Sequence, residues 1–534
     1  MPENISALLT QLAAALPDRP AVIAGGRTAT FGELEAEITQ LASGLSAAGI
    51  KPGMRVALMV PPSVEFAALT FSLFRAGAVV VLIDPGIGIP AMKTCLAEAR
   101  PEVFIGVPKA QAARVLLRWA KDSVKTVITV GPRLFWGGLT LDEVRSMARA
   151  GTPPPVAGET AAILFTSGST GVPKGAVYTH AMFAAQAEML RDYFHIEPGF
   201  YSVPTFPLFA LFDLALGLTI VLPEMDFTRP AAVDPAMLAG LLDKYGAVQL
   251  FGSPALLDTL GRYGERTGAR LDTLRRVLSC GAPVSDAVIA RIGKMIPAGT
   301  QVYTPYGATE ALPVACITGG ERAALPRGLG VCVGRPWPGV EARVIKISDE
   351  PIAAWSDSLL LPDGEIGEFA VKGPTVSAEY YGRGGSTALA KIRCADGEIY
   401  HRMGDCGWKD AEGRIWFCGR KSHRVTAAED TLFTIPCEAV FNAHPQVRRT
   451  ALVGAGPAGR QLPVLFVELE KGARGGAELT EELLRLGAAH AHTKSIKTIF
   501  YHPAFPVDIR HNAKISREKL AELAAEKLGA GVPA

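Results

Sequence analysis

One run limits what this chain can fold into more than any other: Leu164-Phe165-Thr166-Ser167-Gly168-Ser169-Thr170-Gly171-Val172-Pro173-Lys174-Gly175. Glycine has no Cβ, so the backbone there can turn sharply and come close to a ligand. Exposed N–H groups and hydroxyls can wrap phosphate oxygens, and Lys174 adds a positive charge. The apolar run Ala161 to Phe165 predicts a buried strand that delivers this loop. A Walker loop ends in Gly-Lys-Ser/Thr; here the order is Pro173-Lys174-Gly175, which excludes that pattern. A surface linker is the bland alternative. The density of Thr, Ser and Gly behind an apolar strand, closed by a Pro-Lys pair, argues against it.

At 534 residues the chain exceeds one hydrophobic core and predicts at least two domains. Its hydrophobic content of 49% and charged content of 20% are those of an ordinary globular protein. A net charge of +2 with no long basic block gives no case for a nucleic-acid partner. The eight cysteines form no Cys-x-x-Cys pair and no zinc-like spacing, which fits free thiols in a reducing cytoplasm. Met1-Pro2-Glu3-Asn4 lacks the basic start of a signal peptide. Arg75, Asp84 and Asp213 interrupt the most apolar stretches before they could span a bilayer, so only peripheral membrane contact stays open.

Residues 1–150 alternate helical patterns with buried-strand runs. Phe31 to Leu45 reads as a helix, Arg55 to Met59 and Val79 to Ile83 as strands. Glu102 to Ile105, a further strand, precedes a helix over Ala110 to Trp119. This rhythm implies an α/β fold with largely parallel strands. It resumes after the stiff segment 151–155: strand Ala247 to Phe251, helix Pro254 to Gly268, strand Val277 to Cys280. Residues 339–418 change to short β-runs such as Glu341 to Ile347 and Gly367 to Lys372, and predict a smaller β subdomain. The remainder reads as a compact α+β domain with strands Thr450 to Gly454 and Val464 to Leu469 and a closing helix Ser516 to Leu528.

The phosphate loop resembles that of the adenylate-forming superfamily: acyl-CoA synthetases, luciferases and peptide-synthetase adenylation domains. Further blocks resemble the family in the same order. They are Thr30 to Leu34, Gly53 to Val60, Phe74 to Ala78 with Ile83-Asp84-Pro85, Tyr306-Gly307-Ala308-Thr309-Glu310, Tyr400 to Gly407, Gly419-Arg420, and Asn512-Ala513-Lys514. The resemblance implies a large N-terminal domain over 1–419 and a small mobile cap over 420–534, the boundary coming from the match. It implies ATP and Mg²⁺. Thr166, Ser167, Gly168, Ser169, Thr170, Gly171 and Lys174 would hold the β- and γ-phosphates, and Thr309 the α-phosphate. Glu310 would ligate Mg²⁺, a hard cation that prefers oxygen. Gly281-Ala282-Pro283 matches the adenine-wall turn, Tyr306 would stack on the ring beside Gly307, and Asp405 with Arg420 would take the ribose. Lys514 would follow charge on the carboxylate and α-phosphate oxygens during adenylation. Taken alone, Tyr306 reads equally as a core aromatic, Asp405 as a turn residue, and Lys514 as a solvated lysine.

Departures narrow the choice. In Thr205-Phe206-Pro207-Leu208-Phe209-Ala210-Leu211-Phe212-Asp213, Ala210 stands where many acyl-CoA synthetases carry histidine and peptide synthetases an aspartate. Asp213 nearby weakens the second exclusion. Phe206, Phe209, Ala210, Phe212 and Gly252 are candidates for an apolar acyl site, with core packing the alternative. After Gly419-Arg420, Ser422 and the run Thr426 to Thr431 replace the usual hinge residue and glycine-rich turn.

These features, carried by Leu82 to Ile87, Thr205 to Gly217 and Gly419 to Val425, resemble the β-lactone synthetases of bacterial long-chain olefin biosynthesis. The implied substrate is a long-chain 3-hydroxy acid, whose hydroxyl attacks its own acyl-AMP and needs no CoA. His423 is a candidate base, though a phosphate-facing or simply exposed hinge residue is the commoner reading. His180 reads equally as a structural histidine. Assembly with neighbouring olefin or lactone enzymes follows by analogy. Two alternatives stand beside this reading: an AMP-forming fatty acyl-CoA ligase, and an inactive acyl-adenylate-binding sensor or scaffold.

Overall fold

The computed structural model describes residues 4–149, 158–165, 173–326, 328–506 and 515–529. They form two compact units. The first comprises 1–303, 307–313 and 373–391; the second comprises 304–306, 314–372 and 392–534.

The first unit is an α/β assembly with two sheets. One runs in the order Leu139–Thr140, Thr126–Thr129, Val103–Gly106, Arg55–Met59, Val79–Ile83, Thr160–Phe165, Gly175–Thr179. Its pairs are parallel until the last, an antiparallel pair in which Phe165 faces Gly175. The other sheet pairs residues 301–303 with Arg276–Leu278, and continues through Gln249–Phe251, Tyr201–Pro204, Thr219–Val221, Pro20–Ala24 and Arg27–Thr30. It too is parallel up to its edge hairpin.

The strands Arg55–Met59 and Val79–Ile83 have the bounds their apolar runs predict, because helices cover both faces and leave no alternation to blur the ends. The helix Phe31–Ala47 starts at Thr30, whose hydroxyl accepts from the Glu33 N–H while the Glu33 carboxylate accepts from the Thr30 N–H. Predicted elements elsewhere shift by one or a few residues: Val103–Gly106, Pro108–Leu116, Gln249–Phe251 and Arg276–Leu278. Arg75, which interrupts an apolar helix, is 1% exposed and paired to both carboxylate oxygens of Glu35 at 2.7 and 2.9 Å. It is a buried structural cation. Among the described residues no helix is long and apolar enough to cross a membrane.

The second unit carries an antiparallel sheet of Glu341–Ile345, Gly367–Lys372, Ile399–Lys409, Ile415–Arg420 and Val331–Pro336. This is the predicted β subdomain. Its Glu368 carboxylate is buried against Arg402 at 2.6 Å and Lys421 at 3.2 Å. The chain then forms a three-stranded sheet of Val447–Ala455, Leu462–Leu469 and Thr498–Tyr501. The helix Arg517–Lys527 is tied down by Arg517, whose guanidinium meets buried Glu438 at 2.5 and 3.0 Å. The Glu438 carboxylate also accepts from the Leu452 N–H.

His180 settles on its structural alternative. Its buried ring lies edge-on to Phe74 at 5.6 Å, and burial pushes the imidazole down to about 4. The unfolded chain binds that proton near the ordinary value of 6.5. The stability His180 contributes is therefore present above pH 6.5 and is lost as pH falls towards 4. His180→Phe should lose less melting temperature than the wild type across that window; parallel curves would contradict this assignment.

Candidate active site

The ends of the phosphate-loop run lie side by side because Phe165 pairs with Gly175. A Cβ on Gly175 would stand 2.7 Å from the Ile163 side chain, so only glycine allows this approach. Of the run itself, Thr166, Ser167, Gly168, Ser169, Thr170 and Gly171 lie outside the described residues, as does Lys514. Lys174 is described, with Nζ 5.1 Å from the centre of the Tyr380 ring.

That tyrosine joins two predicted blocks. Its hydroxyl donates to Glu310 Oε1 at 2.6 Å. The segment around it also binds through its backbone. The Tyr381 N–H donates to the Gly175 carbonyl at 2.8 Å and the Val177 N–H to the Glu379 carbonyl at 3.1 Å. The Ser377 N–H donates to the Glu310 carbonyl at 2.9 Å. Thr309 is held from another side, its carbonyl accepting from the Tyr178 hydroxyl at 2.5 Å. Lys174, Thr309 and Glu310 are thus set relative to one another by one extended segment and the strand after the loop. Tyr380 was missed by sequence reasoning. Its only signal is an aromatic pair, Tyr380-Tyr381, ahead of a glycine.

The acyl-site candidates also come together. Phe209 stacks on Phe251 with ring centres 3.9 Å apart, and Phe206 lies 5.7 Å from Phe209. Phe212 lies 6.5 Å from Phe209 and 5.9 Å from Phe183. Ala210 is buried on the same helix, Pro207–Ala215, and Gly252 follows Phe251. Phe251 is the member that spacing did not single out. Asp213 does not join them. It is buried, accepting from Ser202 Oγ at 2.6 Å and Gln249 Nε2 at 2.7 Å, and burial raises its carboxyl to about 6. A carboxylate so engaged is core architecture, which restores the exclusion of an ammonium-binding aspartate. Gly281-Ala282-Pro283 forms the bend after Arg276–Leu278.

In the second unit, Asp405 and Arg420 face each other across adjacent strands. Asp405 is 4% exposed and sits within a strand, so the turn-residue alternative fails. Arg420 Nη1 lies 2.9 Å from Asp405 Oδ1, and the Tyr306 hydroxyl donates to Oδ2 at 2.6 Å. The Tyr306 ring packs 6.3 Å from both Phe369 and Phe417. Burial, reinforced by the Asp405 charge, holds its phenol well above the ordinary range. His423 Nε2 meets Glu518 Oε1 at 3.2 Å, and burial and Arg517 lower its pKa.

A profile of the AMP-binding enzyme family matches residues 9–381. The chain belongs to the AMP-binding enzymes. Over 98% of its length it is 51% identical to the olefin beta-lactone synthetase of Xanthomonas campestris pv. campestris, covering 98% of that protein. The olefin beta-lactone synthetase of Stenotrophomonas maltophilia is 49% identical over 99% of both chains. A feruloyl-CoA synthase from Amycolatopsis is 28% identical over 82% of this chain and 83% of its own. In fold, the chain matches the amide bond synthetase McbA from Marinactinospora thermotolerans with a TM-score of 0.81 at 23% identity, covering 97% and 99% of the two chains.

Tyr306→Phe removes the hydroxyl that fixes Asp405. AMP affinity measured by calorimetry should fall roughly tenfold, the value of one hydrogen bond to a charged acceptor; unchanged affinity would contradict a ligand role for this cluster.

Proposed function

We propose that this chain activates a long-chain 3-hydroxy fatty acid carrying a 2-alkyl branch, using ATP, and closes it to a β-lactone. A carboxylate oxygen attacks the α-phosphorus and pyrophosphate leaves, giving the acyl-AMP. The 3-hydroxyl oxygen then bonds to the acyl carbon and gives up its proton to a base or to solvent, the acyl C–O bond to phosphate breaks, and AMP departs with the electron pair. The observation that carries this reading is the end-to-end match to two olefin beta-lactone synthetases at about half identity, against about a quarter for the CoA synthase. The apolar wall of Phe206, Phe209, Phe212 and Phe251 supports an acyl chain as its ligand.

Two anions must meet in the first step, so cations and directed donors are needed. Thr166, Ser167, Gly168, Ser169, Thr170, Gly171 and Lys174 take the β- and γ-phosphates in this reading, and Thr309 the α-phosphate. Gly281, Ala282, Pro283, Tyr306 and Gly307 take adenine; Asp405 and Arg420 take ribose. Glu310 suits Mg²⁺, because its Oε1 is oriented by Tyr380 and one carboxylate plus substrate phosphates is a common Mg²⁺ arrangement. Bound there, the ion would offset charge on the phosphate oxygens. Lys514 stabilises the charge that builds between carboxylate and α-phosphate. Holding the hydroxyl and the acyl carbon in one molecule supplies effective molarity, so CoA is unnecessary. Residues 1–419 act as the nucleotide and acyl domain and 420–534 as its mobile cap. A cytoplasmic site of action, in assembly with neighbouring olefin or lactone enzymes, fits the same reading.

AMP release from ATP, Mg²⁺ and a 2-alkyl-3-hydroxy acid should run at full rate without CoA, and CoA should not raise it. Lys514→Ala should abolish both AMP and pyrophosphate release. CoA-dependent turnover would return the chain to the acyl-CoA ligases, and full pyrophosphate release by the variant would remove Lys514 from the adenylation step.

A further inference from the structure

Lys391 lies in an apolar run, Ala388-Leu389-Ala390-Lys391-Ile392, and is 6% exposed. Among the described residues no carboxylate lies within ion-pair distance of its Nζ. Its contacts are Ser377 Oγ at 3.2 Å and the Tyr380 ring, whose centre is 5.9 Å away. Lys174 Nζ lies 5.1 Å from the centre of the same ring. Both ammoniums are within cation–π range of one tyrosine, and that tyrosine donates to Glu310 at 2.6 Å. Ser377, the other partner of Lys391, donates its N–H to the Glu310 carbonyl.

A buried ammonium without a carboxylate is costly, and an apolar side chain of the same length would pack there at lower cost. Burial pushes the Lys391 amine down to about 7, with the Glu310 charge opposing the shift. The fold therefore tolerates a group that weakens it, beside the residues assigned to the phosphates. A buried amine kept at the expense of stability points to function.

We propose that Lys391 is a positioning residue for nucleotide activation: through Ser377 and Tyr380 it fixes Glu310, and its buried charge favours binding of a triphosphate anion. This rests on the reading that Lys174 and Glu310 serve the nucleotide. The bound phosphates supply the counter-charge that the protein withholds. Tyr380, within reach of both ammoniums, itself donates to Glu310 Oε1.

The test compares wild type, Lys391→Met, Lys391→Arg and Lys174→Ala, each as the full chain. ATP binding is measured by calorimetry in EDTA, alongside melting temperature and steady-state kinetics. Lys391→Met should keep or raise the melting temperature, weaken metal-free ATP binding about tenfold and raise KM for ATP by a similar factor, with a smaller change in kcat. Lys391→Arg, which keeps the charge, should recover part of the affinity. Wild-type ATP affinity in Lys391→Met overturns the proposal, as does a fall in melting temperature with unchanged KM. If Lys174→Ala also binds ATP like the wild type, the underlying site reading fails; if only Lys391→Met does, this inference alone fails.

Discussion

Lys174 and Glu310, nucleotide-site candidates of the first unit, depend on one segment, residues 376–381. Its backbone bonds to the strand leaving the phosphate loop, through Tyr381 to Gly175 and Val177 to Glu379, and to the Glu310 carbonyl through Ser377. Its Tyr380 side chain fixes the Glu310 carboxylate and lies within cation–π range of Lys174 and Lys391. Backbone hydrogen bonds in a buried setting are expensive to break. The placement of Gly175, Tyr380 and Glu310 is therefore set by backbone pairing.

The buried carboxylates divide by what surrounds them. Glu368 lies between two cations, Arg402 and Lys421, and Glu438 takes Arg517 and the Leu452 N–H; both hold elements together. Asp213 accepts from the neutral donors Ser202 and Gln249, and burial raises its pKa although the Arg276 charge opposes the shift. Asp405 has a guanidinium on one oxygen and a phenol on the other, at a strand pair that ends in Gly419 and Arg420. Arg420 is one-third exposed, so this cluster keeps a polar edge open to a ligand while the first two do not.

Much of the fold was legible because its strands are buried on both faces. Arg55–Met59 and Val79–Ile83 end where their apolar runs end, and Gly367–Lys372 has the bounds its short β-run predicts. The strand over Val277 stops at Leu278 instead of Cys280, just ahead of the bend at Gly281-Ala282. The site was legible wherever chemistry is carried by adjacent residues, as in Thr309-Glu310 and Gly419-Arg420. It was not legible where it depends on chain-distant partners: Glu310 with Tyr380, Lys174 with Tyr380, Phe209 with Phe251. Lys391 did leave a trace, a lone charge in an apolar run, but such a lysine reads as surface until its burial is seen.

The central claim is that this adenylate-forming scaffold spends its acyl-AMP on ring closure. Proton NMR of the product from ATP, Mg²⁺ and a racemic 2-alkyl-3-hydroxy acid, with CoA withheld, tests it most directly. The account predicts signals of a strained four-membered lactone, formed one for one with AMP. Free hydroxy acid recovered unchanged, with a thioester appearing only when CoA is supplied, would contradict it.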